Sequence, residues 1–298
     1  MSKKIFCQFY GGIAYKHGKT SKGTQRYKCK YCCKTFLSNY TPLTYLKHGK
    51  TLFKKFIGYM IDDVTLEVAA RNLKIDVKTA HYYRYLVFHA IEHYQEKVKL
   101  SGTILIDETF ISIKEKPYKI VRPDGKNIRG LSFNQLCIIT MISLKGECIA
   151  KVSSRATAQP EDYKRLFNMN MGQVKAFIHD GNPKQVQFMN QYSVTKVNPR
   201  KVEIDNFSTE LVDSLHSSLK RYLFKHAGYK LKYLQHYLNF FVYRYNHLVR
   251  GSNKTGIIKN KNDILNELYS QVKNSSKNIK YRNYLSDKGI TDILENIR

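Results

Sequence analysis

The sequence predicts an α/β domain with a mixed β-sheet and flanking helices, carried behind two small basic modules. Short apolar, β-branched runs alternate with helical stretches between residues 103 and 197. A Gly-studded, Cys-bearing segment fills the first forty residues, and a helix-turn-helix cadence follows it. The charge is strongly one-sided, with 51 Lys and Arg against 23 Asp and Glu, a formal net charge of +28.

A chain of 298 residues has room for two or three domains and a full-sized core. Positive charge of this size releases counterions from phosphate chains, so nucleic acid, and double-stranded DNA in particular, is the expected partner. The excess is uneven: residues 1–61 hold thirteen Lys and Arg and no Asp or Glu. A coding bias towards Lys, Asn, Ile and Tyr explains the abundance of Lys but not that acid-free stretch. With no apolar run of membrane-spanning length and no charged-apolar-small leader, neither a membrane span nor a signal peptide is expected. A bacterial, nucleoid-associated cytoplasmic location fits this reading.

Residues 1–40 read as a zinc-ribbon-like module of two hairpin knuckles ending in GTQRYKCKYCCKTF. Of the six Cys, Cys29, Cys32 and Cys33 crowd into this module with Cys7, which suits metal-ligand chemistry in a reducing compartment better than a disulfide framework. Residues 41–98 are expected to form a helix-turn-helix DNA-binding domain. In TLEVAARNLKIDVKTAHYYRYL, Ala69 and Ala70 allow close packing, Leu73 and Ile75 bracket the turn, and Thr79 opens the second helix. That helix would offer Lys78, His81, Tyr82 and Arg84 to DNA. The usual turn Gly is replaced by Lys74, and three packed helices that merely connect domains are the alternative.

Residues 99–250 form the expected catalytic domain. Strands are predicted at 103–110, 134–143, 147–153 and 174–179, a helix over PEDYKRLFNM between the third and fourth, then a helix over PKQVQFMNQY, a strand over SVTKV and a long helix from about Ser208. Three strands, helix, strand, helix, strand, helix is the order of a ribonuclease-H-like core. From Lys230 to Leu248 the apolar positions Leu231, Leu234, Leu238, Phe241, Tyr245 and Leu248 recur every three or four residues, a packing stripe. Residues 251–298 read as a polar linker, Asn- and Lys-rich over 251–263, and a polar helical tail.

Three acids stand out. Asp107 lies in the middle of the most hydrophobic strand, TILIDETF, with Glu108 on the opposite face. A buried carboxylate there needs a cation or a hydrogen-bond network. Asp180 ends another apolar strand in AFIHDGNP, at the carboxyl end where α/β sheets keep their ligands; a turn-capping Asp would read the same way. In VDSLHSSLKRYL, Val212, Leu215, Leu219 and Tyr222 form an apolar stripe, and Asp213, His216, Ser217 and Lys220 share the opposite face, as a solvated face would too. Asp107, Asp180 and Asp213 would together supply the several hard oxygen ligands that two Mg²⁺ (or Mn²⁺) ions need.

The blocks GTQRYKCKYCCKTF, ILIDETFI, RGLSFNQLCIIT, FIHDG and VDSLHSSLKRYL…YKLKYLQHYLNFFVYRYN resemble, in this order, the DDE-type transposases of bacterial insertion sequences. The likeness is to the group with an N-terminal zinc ribbon and an ISXO-type catalytic domain, and it covers residues 1 to about 248. It implies a two-metal polynucleotidyl transferase that binds element ends and cleaves and joins DNA, acting as a homodimer or higher multimer. Asp107 and Asp180 take the place of the first two catalytic acids, Lys220 that of a phosphate contact and His216 an auxiliary one. Two positions depart from the family pattern. The third acidic block has Asp213 where the family has Asn or Glu, and the first knuckle reads Cys7-Gln8-Phe9-Tyr10 where the family has Cys-x-x-Cys. Zinc would then rest on Cys7, Cys29 and Cys32 with Cys33 or His17 as fourth ligand. A relative that binds DNA without catalysis, acting as a regulator, is the competing expectation.

Overall fold

The structure, a computed structural model, describes residues 4–7, 9–21, 23–37, 41–44, 46–125, 128, 130–198, 209–248, 260–275 and 281–296, side chains of 281–283 excepted. They fall into two compact units, residues 1–90 with 262–287 and residues 91–261 with 288–298.

In the first unit, β1 (Ile5–Phe6), β2 (Ile13–Lys19), β3 (Gln25–Cys29) and β4 (Thr35–Leu37) form an antiparallel sheet in chain order. Its core is small: Cys7, Ala14, Cys29 and Phe36 are the buried residues, with Ile5, Phe9, Tyr27 and Cys32 packed against them. So few apolar side chains give a weak core, the usual situation in which a bound metal holds such a module together.

Three helices follow, α1 (Gly49–Ile61), α2 (Leu66–Asn72) and α3 (Val77–Ala90). Tyr83 of α3 anchors them, fully buried and edge-on to Phe53 at 5.1 Å and Phe56 at 5.6 Å. Ala69 and Ala70 are buried where α2 approaches α3. Between these helices Lys74 takes the left-handed conformation, φ +53°, that a Gly would adopt freely. The second helix opens earlier than expected. Asp76, not Thr79, precedes it, and its side chain accepts the Lys78 N–H at 2.7 Å, as a helix-opening Asp does.

The second unit begins with α4 (Tyr94–Lys97) and continues through β5 (Leu100–Ser112), β6 (Gln135–Ser143) and β7 (Cys148–Arg155). Next come α5 (Pro160–Phe167), β8 (Met171–Ile178), α6 (Pro183–Met189), β9 (Thr195–Val197), α7 (Glu210–Lys225) and α8 (Leu234–Leu248). The sheet order is β7-β6-β5-β8-β9; β5, β6 and β7 pair antiparallel, and β8 runs parallel to both β5 and β9. This mixed five-stranded sheet with flanking helices is the ribonuclease-H-like arrangement the element order predicts. Helix α5 starts where Pro160 and a Gln159–Asp162 capping box place it. Ile104, Ile106, Cys137, Ile139 and Met141 point to one face, where Tyr163 and Phe167 of α5 and Phe188 of α6 cover them. Alternation sends Leu105 and Asp107 to the other face, where α7 lies against β5 and β6.

Strand β7 is a sheet edge, and side-chain amides satisfy its outward backbone. The Ala150 N–H donates to Gln95 Oε1 at 2.8 Å, Val152 N–H to Gln235 Oε1 at 2.9 Å and Cys148 N–H to Asn246 Oδ1 at 2.8 Å. Gln95 also donates to Asn239 Oδ1 at 2.7 Å. Helix α8 is therefore buried on more than its expected stripe, with Tyr237, Asn239, Phe240, Val242 and Tyr243 inside as well. A 3-10 turn over Leu231–Tyr233 replaces the start of the expected continuous helix.

The tail is helical, as expected, but its apolar residues are used. In α9 (Lys261–Asn274), Ile264, Leu268 and Val272 are buried in the first unit, where Tyr269 meets Phe53 and Lys54. Tyr284 of α10 (Tyr281–Ser286) stacks edgewise on Tyr85 at 4.7 Å. In α11 (Thr291–Glu295) Leu294 is buried in the second unit, and its carbonyl accepts from Arg155. Of the linker expected at 251–263, residues 251–259 lie outside the described residues, and residues 261–263 instead open α9. Among those described, no helix is long and apolar enough to cross a membrane.

Candidate metal centre

Asp107 is set by the pleat of β5. It faces α7, and directly across β6 its partner is Thr140. On the other side of β5 the parallel register pairs Leu105 with Ile178 of β8, so two residues further on, on the same face, come Asp107 and Asp180. Beyond Ile178 the chain keeps its pairing for one residue, His179 N–H donating to Val197 at 3.0 Å, and then turns sharply. Gly181 makes the turn with φ +97°, and a Cβ there would stand 2.6 Å from the Asn198 amide nitrogen. Asp180 is steadied within the turn by the Asn182 N–H, which donates to its Oδ1 at 3.0 Å.

Helix α7 supplies the rest. Asp213 is exposed in its first turn, and His216 follows one turn later, where it reaches the sheet and is buried. One ligand atom each from Asp107, Asp213 and His216 lies within 4.8 Å of the others. The expected polar face of α7 is thus divided: Asp213, Ser217 and Lys220 are exposed, whereas His216 borders Leu215 and Leu219 and turns inward. The His216 ring is held by Thr140, whose Oγ1 is 2.6 Å from Nε2 and also donates to the Asp107 carbonyl at 3.1 Å. A hydroxyl has one hydrogen. With that hydrogen spent on the carbonyl, Nε2–H donates to Thr140, and the Nδ1 lone pair is left facing Asp107 Oδ2 at 3.7 Å.

The electrostatics of this group point to a cation. Burial pushes the Asp107 carboxyl up to about 6; the Glu108 N–H, donating to it at 2.7 Å, opposes that, and the charges of Asp180, Asp213 and Glu108 add to it. Asp180 therefore shares the field of the cluster although it is outside the closest group of ligand atoms. Burial, then Lys220, holds His216 down at about 4, against the pull of Asp213, so its imidazole is neutral near pH 7. Carboxylates that repel one another beside a neutral imidazole fit a divalent cation of the Mg²⁺ or Mn²⁺ kind, with the nitrogen favouring Mn²⁺ of the two. Lys220 stands one turn beyond His216, exposed, and lines a cavity of about 420 Å³ with Phe110, Phe224 and Tyr229.

On the opposite face, Glu108 forms a second network that sequence reasoning left unassigned. Its Oε1 accepts from the Tyr163 hydroxyl and from Asn182 Nδ2 at 3.2 Å, and burial raises its pKa. The signal in the sequence was a carboxylate on a strand face otherwise made of Ile104, Ile106 and Phe110.

In the first unit the sulfurs of Cys7, Cys29 and Cys32 converge, with Cys7 and Cys32 3.6 Å apart. Phe9 and Tyr31 N–H groups each donate to the Cys two residues before them at 3.4 Å, so the two knuckles fold alike. Cys33, expected as a possible fourth ligand, is exposed at φ +54° and outside the group, because adjacent residues leave the knuckle in different directions. His17 is exposed on β2 and outside it too. Tyr10 fills the knuckle position that corresponds to Cys32, and its ring stacks on Tyr31 at 5.5 Å. Three thiolates fit a zinc ion, one short of the four of a closed structural site.

The four residues expected to meet DNA all lie on α3. Lys78 is exposed, and His81, Tyr82 and Arg84 are half-buried. Arg84 approaches His81 Nδ1 at 3.0 Å, and burial with that guanidinium holds His81 down at about 4. His81 is therefore an uncharged neighbour of Arg84 and not a second cation.

No family model matches the chain, and no curated protein matches its sequence. Solved structures that it is similar to include the Mos1 strand transfer complex, at 13% identity over 78% of this chain and 80% of that one with a TM-score of 0.29. The Mos1 transposase paired-end complex with left transposon end is 12% identical over 78% and 82%, with a TM-score of 0.25. The Mos1 mariner paired-end complex with Mn is 12% identical over 68% and 78%, also at 0.25. Superpositions this loose carry no weight for the chemistry of this chain.

Proposed function

We propose that the chain is a DDE-type DNA transposase of an insertion sequence, which binds element ends and carries out divalent-metal-dependent phosphodiester cleavage and strand transfer. The observation that carries this reading is the meeting of Asp107, midway along the central strand, with Asp213 and His216, in the field of Asp180. A protein that only bound DNA would have no use for carboxylates crowded in this way, which lose stability by facing one another.

Asp107, Asp180 and Asp213 would hold the metal, with His216 presenting Nδ1 to the same position. Divalent ions bound there supply charge neutralisation at the phosphate and a more acidic attacking hydroxyl or water. Lys220, exposed beside the cluster, is placed to meet a phosphate oxygen. Thr140 fixes the His216 ring so that its lone pair does not turn away from the acids. Lys78, Tyr82 and Arg84 on α3 and the acid-free basic stretch of residues 1–61 would grip the element ends, with zinc on Cys7, Cys29 and Cys32 stiffening the ribbon. Paired ends call for a homodimer or higher multimer.

The test is cleavage of DNA carrying the inverted repeats that flank this reading frame, with Mg²⁺ or Mn²⁺. Nicking and joining are expected from the native chain, and a loss of about 10³-fold or more from Asp107→Ala and Asp180→Ala, both still binding DNA. Native protein that binds the ends and cuts none would instead be a DNA-binding regulator.

A further inference from the structure

We infer that Glu108 is a positioning residue: through Asn182 it ties the strand that carries Asp107 to the loop that carries Asp180, and so sets the spacing of the acids for metal. This rests on the metal-dependent reading of the cluster above.

Glu108 and Asp107 are consecutive on β5, so the pleat sends them to opposite faces. Glu108 contributes no ligand atom to the Asp107, Asp213 and His216 group. An apolar residue would cover Tyr163 and Phe188 on this face without the cost of burying a carboxylate. What the carboxylate adds is acceptance. Its Oε1 takes the Tyr163 hydroxyl from α5 and Asn182 Nδ2 from the turn after β8.

Asn182 uses its other polar groups on the same loop. Its N–H donates to Asp180 Oδ1 at 3.0 Å, and its Oδ1 accepts the Lys184 N–H at 3.0 Å as the cap of α6. One side chain thus links Glu108, the Asp180 carboxylate and the start of a helix. With Gly181 at φ +97°, the turn has conformational freedom that these bonds remove. Groups that orient metal ligands from outside the coordination sphere typically change metal affinity about 10–100-fold when removed.

The experiment measures Mn²⁺ binding by calorimetry on the full chain, with thermal melts and circular dichroism to establish folding. Asn182→Ser keeps an oxygen able to cap α6 but is too short to reach Glu108. Glu108→Gln keeps the accepting Oε1, and Glu108→Ala removes it. Expected are affinities about tenfold or more weaker for Asn182→Ser and Glu108→Ala, and within about threefold of native for Glu108→Gln. If Asn182→Ser folds and binds Mn²⁺ like the native chain, or if folded Glu108→Gln is as weak as Asn182→Ser, the positioning role is overturned. Should Glu108→Ala not fold, Asn182→Ser and Glu108→Gln decide between them. A native chain that binds no Mn²⁺ would bring down the metal-centre reading itself, a distinct result.

Discussion

At the scale of single residues, Asp107 and His216 make opposite demands on pH. Asp107 is pushed from the ordinary 3.8 up to about 6, mainly by burial. A group raised in this way contributes stability below the unfolded value and loses it as pH rises through the folded one. His216 is held down at about 4 from 6.5, also mainly by burial, so its contribution is lost as pH falls through that interval. Each shift corresponds to roughly 3 kcal/mol at most, before solvent screening at the partly open Asp107 reduces it. In the metal-free native chain the two slopes oppose one another between about pH 4 and 6.5. Asp107→Asn is expected to unmask the histidine, so that stability falls on acidification, and His216→Gln to unmask the acid, so that it rises. Urea melts in a chelator at several pH values check this; parallel profiles for the two variants would refute it. The residue scale is also where the sequence was least explicit. Asp107 was legible because it interrupts an apolar strand, and Asp180 because it stands where another one ends and turns. The inward turn of His216 was not, because a helical wheel orders directions around its own helix and does not show how far the neighbouring sheet extends.

At the scale of elements, the two knuckles of the first sheet fold alike and differ in one residue of the expected ligand set. Both knuckles donate backbone N–H groups to their first Cys, yet only the second has a Cys three residues further on. Tyr10→Cys is therefore expected to complete the tetrahedron and to raise zinc affinity by on the order of tenfold or more, whereas Cys33→Ser leaves it unchanged. Competition against a chelating dye measures both, and tighter binding lost in Cys33→Ser would return that residue to the ligand set. Sequence spacing left Cys33 or His17 open as a fourth ligand beside Cys32; only the path of the chain after β3 sets Cys33 apart from the group. Similarly, the stripe on α8 was legible from its period, but its amide residues were not. Gln235, Asn239 and Asn246 look like solvent-facing positions until the β7 edge lies beside them and needs donors and acceptors.

At the scale of the whole molecule, the charge of +28 would set the strength and the salt dependence of the proposed association with nucleic acid. Contacts to six to ten phosphates lose about 10³–10⁵ in affinity between roughly 50 and 200 mM salt. Binding of duplex DNA is expected to fall within that range in a fluorescence-polarisation titration, and a flat response would mean that the excess charge is not directed at phosphate. Hydrophobic alternation and turn residues in the sequence indicated the order of strands and helices, the ribonuclease-H-like class and the two acids in and just past apolar strands, and composition the expectation of an anionic partner, because each depends on local period or on composition. The tertiary structure decided what depends on distant segments meeting. The β5–β8 register brings Asp180 alongside Asp107, and the packing of α7 on the sheet turns His216 towards them. The turn at Gly181 and Asn182 gives Glu108 a partner, 74 residues away, that no periodicity in the chain could indicate.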